Sequence, residues 1–141
     1  MSGCPIRVLV VDDDQDGAEA MAMVFRLDGH QVSIATDGEA AVEEARARRP
    51  DLVLLDLGLA AGLDGLDVAR RIRRLRGLEE TRIVAVTGHG AAEHRLRALD
   101  AGFDRYLVKP VDPALLRGMV EDLPLARGER LAGAERAVRF R

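Results

Sequence analysis

The chain has 141 residues and a mass of 15.3 kDa, which suggests one domain rather than two. It is 48% hydrophobic and 32% charged, the composition of a globular protein rather than a disordered segment. Aromatic residues make up 3% of the chain and tryptophan is absent, so the core must be aliphatic and an aromatic platform for sugars or single-stranded nucleic acid is not expected. The net charge of −3 gives no general attraction to nucleic acid or anionic lipid.

The cysteine content and the lengths of the apolar runs indicate the cellular compartment of the protein. Cys4 is the only cysteine, so an intrachain disulfide and a cysteine metal cluster are excluded. The first five residues lack the basic start and apolar stretch of a signal peptide, and the longest apolar runs are too short to span a bilayer. We therefore expect a cytoplasmic protein that makes no membrane contact.

Five short apolar segments, several of them rich in β-branched residues, are predicted to be buried strands. Helical patterns separate them, and in one of these Val68 and Ile72 lie on an apolar face. The arginines opposite this face are predicted to be solvated: Arg70, Arg71, Arg73 and Arg74. This alternation predicts right-handed crossovers and a parallel sheet covered by helices on both faces, a doubly wound α/β fold. The five predicted strands are 6–11, 31–35, 52–55, 82–87 and 105–108.

Two helix starts carry the spacing of a capping box, in which two side chains each bond the other residue's backbone N–H. Asp16 with Glu19 predicts the start of the first helix, and Thr36 with Glu39 predicts the start of the second. The apolar stripe at 92–99 is weaker and predicts a fourth helix.

Polar side chains gather at the carboxyl ends of the predicted strands, where open α/β sheets bind their ligands. Carboxylates brought together at one edge repel by about 4 kcal/mol per close pair near a protein surface, so such a cluster must take up protons or hold a cation. Oxygen ligands without His or Cys favour Mg²⁺. The residues concerned are Asp12, Asp13 and Asp14 after strand one, Asp56 at strand three, Thr87 at strand four and Lys109 after strand five.

Lys109 is the only lysine of the chain, in which every other basic residue is an arginine. An ammonium is more compact than a guanidinium and acts as a point charge. Its position beside the predicted acidic cluster indicates a specific role, although a structural ion pair is the alternative.

Four sequence motifs together carry a family resemblance. Val-Asp-Asp-Asp after the first strand, Leu-Leu-Asp56, Val-Thr87-Gly and Tyr106-Leu-Val-Lys109-Pro110 resemble the receiver domain of bacterial two-component response regulators. The resemblance predicts a receiver domain at 5–123, followed at 124–141 by a basic tail that is helical or mobile. It also implies the flavodoxin-like (βα)₅ fold with strand order 2-1-3-4-5.

The resemblance implies a phosphoryl acceptor and a metal site. Asp56 would accept a phosphoryl group from a histidine kinase or a phosphotransfer protein. Mg²⁺, for which Mn²⁺ is expected to substitute, would be held by Asp12, Asp13, Asp56 and the backbone carbonyl of Gly58, with Asp12 binding directly or through water. The chain would then promote only its own phosphorylation and dephosphorylation and would not otherwise be an enzyme.

The resemblance also implies a conformational switch. Lys109 would pair with the phosphoryl group, Thr87 would hydrogen-bond it, and Tyr106 would turn inward when Thr87 moves. The signal would pass to a downstream protein target through the surface formed by the fourth predicted helix, strand five and the last helix. The family also implies a dimer that forms on phosphorylation. Gly58 and His89 occupy the two positions that tune the rate of dephosphorylation in this family.

The loop after Asp56 departs from the family pattern. Receivers usually carry a proline here, but Ala60 stands in its place and one extra residue precedes the Asp64-Gly65 turn. We therefore expect a looser loop and a less well fixed Gly58 carbonyl. The family's cis peptide is expected at the bond before Pro110.

Other functions remain open at this stage. Too few residues follow the last predicted helix for a DNA-binding domain, so direct DNA binding is not expected, and the chain is either a stand-alone regulator or part of a hybrid kinase. The altered loop favours a second possibility, a binding module that works without phosphorylation. A third possibility is a Mg²⁺-dependent phosphohydrolase using Asp12 and Asp14, but Asp16 stands where that class needs Thr or Val, and Thr87 stands where it needs acids.

Overall fold

The computed structural model contains one parallel sheet of five strands in the order β2-β1-β3-β4-β5. It describes residues 5–59, 62–88, 102–121 and 123. This order confirms the predicted doubly wound fold, and the helix predicted at 92–99 lies outside the described residues. In chain order the elements are β1 (Arg7–Val11), α1 (Gln15–Leu27), β2 (Gln31–Ala35), α2 (Gly38–Arg48), β3 (Leu52–Asp56), α3 (Gly65–Arg74), β4 (Arg82–Thr87), β5 (Arg105–Val108) and α4 (Pro113–Glu121).

Helices cover both faces of the sheet. On one face α2 and α3 pack over alternate strand residues such as Leu9 and Val53, and on the other face α1 and α4 pack over Val8 and Leu52. The middle strand β3 is buried along its whole length, as a strand covered on both faces must be. None of the helices in the described ranges is long and apolar enough to cross a bilayer.

The parallel register brings the ends of the strands to one edge of the sheet. Because neighbouring strands run in the same direction and end at nearly the same level, the residues that follow them emerge together. Val11 pairs with Leu55, Asp56 with Val86, and Thr87 with Val108.

The predicted capping boxes are wrong, since both helices begin at other residues. Asp37, and not Thr36, precedes α2, and its carboxylate accepts a hydrogen bond from the N–H of Ala40 at 2.8 Å. Aspartate is a better N-cap than threonine, which explains the shift by one residue. Asp14, and not Asp16, precedes α1.

The prediction of a solvated arginine face on α3 is wrong for Arg73. Its guanidinium donates to the carboxylate of Asp104 at 2.6 Å, to the carbonyl of Gly102 at 2.8 Å and to the carbonyl of Thr81. Asp104 is buried and also accepts from the N–H of Ile83 at 2.9 Å. This network joins α3 to the residues that precede β4 and β5. It lies at the amino end of the strands, opposite the edge that carries Asp12 and Asp56.

We expect Asp104→Ala to lower the free energy of unfolding by about 3 kcal/mol, because it leaves Arg73 partly buried without its counter-ion and removes the acceptor for Ile83. Urea unfolding measures this change. Glu43→Ala is the matched control, since its pair with Arg46 is exposed to solvent and such pairs contribute about 0–1 kcal/mol. Equal losses in the two variants would contradict the structural role of Asp104.

Candidate functional site

Three of the predicted carboxylates meet at the carboxyl edge of the sheet. Asp12, Asp13 and Asp56 each offer a carboxylate oxygen, and these oxygens lie within 4.8 Å of one another. Asp12 is fully buried and Asp56 is 7% exposed, whereas Asp13 is exposed. The cluster is therefore enclosed by the sheet and open on the side of Asp13.

Lys109 bridges the two buried carboxylates. Its Nζ atom lies 3.0 Å from Oδ2 of Asp12 and 3.0 Å from Oδ2 of Asp56. Its backbone N–H donates to the carbonyl of Thr87 at 2.7 Å, which fixes the lysine to the end of β4. The Lys109–Pro110 peptide bond is cis, as the resemblance implied.

Burial and charge shift the pKa values at this cluster. Burial raises the pKa of Asp12 above its ordinary value, and the charge of Asp56 adds to this effect; hydrogen bonds from Asp14 and Lys109 oppose it without cancelling it. Burial lowers the pKa of Lys109, but its hydrogen bonds and charge interactions with Asp56 and Asp12 outweigh that effect and raise the pKa above its ordinary value. Lys109 is therefore an ammonium at neutral pH.

The donor set fits a hard divalent cation. Three ionised carboxylates and one ammonium carry −3 + 1 = −2, the charge that one divalent ion balances. The clustered donors are all carboxylate oxygens, which are ligands suited to Mg²⁺, and the open side leaves room for the waters that Mg²⁺ usually keeps.

The first residues of the loop after Asp56 are held by hydrogen bonds. The N–H of Gly58 donates to Oδ1 of Asp56 at 2.8 Å, and the N–H of Leu57 donates to the carbonyl of Val86 at 3.0 Å. Ala60, on which the expectation of a looser loop depends, lies outside the described residues. Gly58 is thus adjacent to the carboxylates, while its role as a metal ligand stays a prediction.

The residues predicted to form the switch lie on neighbouring strands. Thr87 is buried at the end of β4, and Tyr106 is half-buried on β5 opposite Ala85. Because side chains alternate along a strand, Thr87 projects from the same face of the sheet as Ala85 and therefore as Tyr106. His89 lies outside the described residues.

Sequence reasoning missed how closely the first residues of the loop pack against the start of α3. A Cβ atom on Gly65, the first residue of α3, would lie 2.8 Å from Cα of Leu57 and 2.9 Å from the carbonyl oxygen of Asp56. The only signal in the sequence is a glycine at the start of a predicted helix, and that signal does not say which atoms lie next to it.

Comparison with known families agrees with this geometry. The family model described as response regulator receiver domain matches residues 8–121. The chain belongs to this family. The receiver domain is 39% identical over 118 residues to the probable transcriptional regulatory protein TcrX of Mycobacterium tuberculosis, covering 82% of this chain and 49% of that protein. It is 38% identical over 106 residues to the response regulator MprA of Mycolicibacterium vanbaalenii, covering 75% of this chain and 45% of that protein. The chain thus spans about half the length of these curated relatives.

Solved structures show the same fold. The receiver domain of the sensor histidine kinase PA1611 from Pseudomonas aeruginosa is 30% identical, with a TM-score of 0.76 over 84% of this chain and 96% of that one, and its structure has a magnesium ion coordinated in the active site cleft. The chemotaxis protein CheY4 of Vibrio cholerae is 23% identical, with a TM-score of 0.79 over 85% of this chain and 99% of that one, and supports the fold alone.

The raised pKa of Asp12 makes the stability of the metal-free domain depend on pH. Between the ordinary value of 3.8 and the raised pKa, the folded state binds more protons than the unfolded state, so the contribution of Asp12 to stability falls as pH rises through the raised pKa. Asp12→Asn removes this titration. Urea unfolding in a chelator at several pH values should show the unmodified domain losing stability relative to Asp12→Asn as pH rises. A difference that is constant, or that changes in the opposite direction, would contradict the raised pKa.

Proposed function

We propose that Asp56 accepts a phosphoryl group from the phosphohistidine of a partner histidine kinase or phosphotransfer protein, in a reaction that requires Mg²⁺. The observation that carries this proposal is the position of the Asp56 carboxylate, which lies within 4.8 Å of the Asp12 and Asp13 oxygens and 3.0 Å from the Lys109 ammonium. This proposal assigns the acceptor role to one residue of a cluster that the fold builds at its carboxyl edge.

The proposed chemistry is an in-line displacement by a carboxylate. An oxygen of Asp56 attacks the phosphorus, the bond between phosphorus and the histidine nitrogen breaks, and an acyl phosphate remains on Asp56. Asp12, Asp13, Asp56 and the Gly58 carbonyl would hold Mg²⁺, with Mn²⁺ as a proposed substitute. When bound, the cation offsets charge on the transferring oxygens and aligns donor and acceptor.

The response to phosphorylation is proposed to begin at Lys109 and Thr87. A phosphoryl group carries a charge of roughly −2 and three strong acceptor oxygens, so the ammonium of Lys109 gains a stronger partner and the Thr87 hydroxyl gains a new acceptor. Tyr106, which shares the sheet face of Thr87, would then turn inward. Together these movements would bias a two-state surface formed by the helix predicted at 92–99, β5 and the last helix, α4.

The wider role of the chain is part of the same proposal. It would receive its phosphoryl group in the cytoplasm, signal to a protein target and form a dimer when phosphorylated. It would promote only its own phosphorylation and dephosphorylation, with Gly58 and His89 tuning the second reaction. We propose 5–123 as the receiver domain and 124–141 as a separate basic tail.

The acceptor assignment is tested by a small-molecule phosphodonor. Incubation with acetyl phosphate and Mg²⁺ should add the mass of one phosphoryl group to the intact chain, and a chelator or Asp56→Asn should abolish this addition. Asp28→Asn is the matched control, because Asp28 pairs with Arg117 on the surface and should leave labelling unchanged. Mass spectrometry measures the addition.

The other outcomes of this experiment separate the alternative functions. Absence of labelling in the unmodified chain would favour a phosphorylation-independent binding module. Sustained turnover of a phosphate ester would instead indicate a phosphohydrolase.

Mg²⁺ should stabilise the folded domain, because the carboxylates come together as a binding site only in the folded state. At a Mg²⁺ concentration 100 times the dissociation constant, we expect the free energy of unfolding to rise by about 2.7 kcal/mol. Asp13→Asn should remove most of this gain, whereas the exposed Asp16→Asn should retain it. Urea unfolding with and without Mg²⁺ measures the effect, and an equal gain in both variants would argue against the assigned ligands.

A further inference from the structure

The loop between β3 and α3 runs against the first residue of α2. A Cβ atom built on Gly38 would lie 2.7 Å from Cβ of Leu63, 2.8 Å from Cγ2 of Val68 and 2.9 Å from the carbonyl oxygen of Leu63. Real Cβ atoms essentially never approach other atoms closer than 3.0 Å. The backbone of α2 therefore contacts the loop at a place where a side chain would not fit.

The two ends of this loop are enclosed by glycines. Gly38 bounds it near Leu63, and Gly65 bounds it near Leu57, where a Cβ atom would meet backbone atoms at 2.8 and 2.9 Å. Neither glycine has a positive φ, so the requirement at both positions is for space and not for a left-handed backbone.

The described residues of this loop also pack against the core, and one of them hydrogen-bonds Asp56. Leu57, Leu59 and Leu63 pack against the hydrophobic cluster beneath α2 and α3. Between Leu57 and Leu59, the N–H of Gly58 donates to Oδ1 of Asp56 at 2.8 Å. Because Leu63 lies two residues before Gly65, which contacts Leu57, we expect a shift of Leu63 to displace Leu57 and its neighbour Gly58.

We propose that Gly38 is a positioning residue for the metal site. It lies on α2, which supplies no group to the acidic cluster, and its lack of a side chain lets the loop approach closely enough to hold Gly58 beside Asp56. This inference rests on the proposed function, because the site that it positions is the proposed Mg²⁺ site.

The chain contains a matched control for this idea. Gly118 lies within α4, and a Cβ atom there would meet nothing within 4 Å. Gly38→Ala and Gly118→Ala each add one methyl group to a helix, but only the first places that methyl group against the loop. Loss of Mg²⁺ affinity in the first variant alone would report displacement of the loop.

The experiment is titration calorimetry of the intact chain with Mg²⁺. We expect Gly38→Ala to weaken Mg²⁺ binding by about tenfold, which is the smallest loss usual for groups that orient metal ligands without binding the metal. Gly118→Ala should leave the affinity unchanged. In the metal-free protein, the amide resonance of Gly58 should shift in Gly38→Ala and stay in place in Gly118→Ala. Equal Mg²⁺ affinities in the two variants would overturn the inference, even if Gly38→Ala also lowers thermal stability.

A second variant covers the case in which Gly38→Ala fails to fold. Leu63→Ala shortens a half-buried loop side chain and creates no clash, so it should loosen the loop and also weaken Mg²⁺ binding. Unchanged affinity in Leu63→Ala would then overturn the inference. Absence of Mg²⁺ binding by the unmodified chain would instead refute the proposed function, and with it the site that Gly38 is proposed to position.

Discussion

The site depends on the electrostatic balance between three clustered carboxylates and one ammonium. Burial beside Asp56 is unfavourable for the charged form of Asp12, and Lys109 partly offsets this by hydrogen-bonding both carboxylates at 3.0 Å. One ammonium does not neutralise three carboxylates, so the cluster at the carboxyl edge of the sheet keeps a net negative charge. A divalent cation would balance this remaining negative charge.

The two ends of the sheet are organised in different ways. At the carboxyl edge, like charges are held close together and one side stays open to solvent. At the amino edge, Arg73 and Asp104 form a partly buried ion pair that also makes hydrogen bonds with backbone groups of neighbouring segments. Stabilising contacts at the second edge allow the first edge to keep repulsive charges, which is the usual relation between a scaffold and its site.

Local patterns predicted the elements well but not their exact contacts. The alternation of apolar runs and helical stripes is enough to give a doubly wound sheet, because each element must bury one face. The capping box predicted at Thr36 is wrong because Asp37, the next residue, is the stronger cap. Helical periodicity places Arg73 opposite Val68 and Ile72 and therefore predicts a solvated side chain. Periodicity carries no information about an acid 31 residues away.

The sequence by itself determined the strand ends at which Asp12, Asp13, Asp56, Thr87 and Lys109 stand, because parallel strands that are separated by helices must end at one edge. It also indicated the ion class, because the donors are carboxylates. Only the tertiary structure decided that one ammonium bridges the two buried carboxylates and that Gly38 and Gly65 touch the loop after Asp56. These contacts join residues far apart in the chain at distances of a few ångströms, and local propensity does not specify such distances.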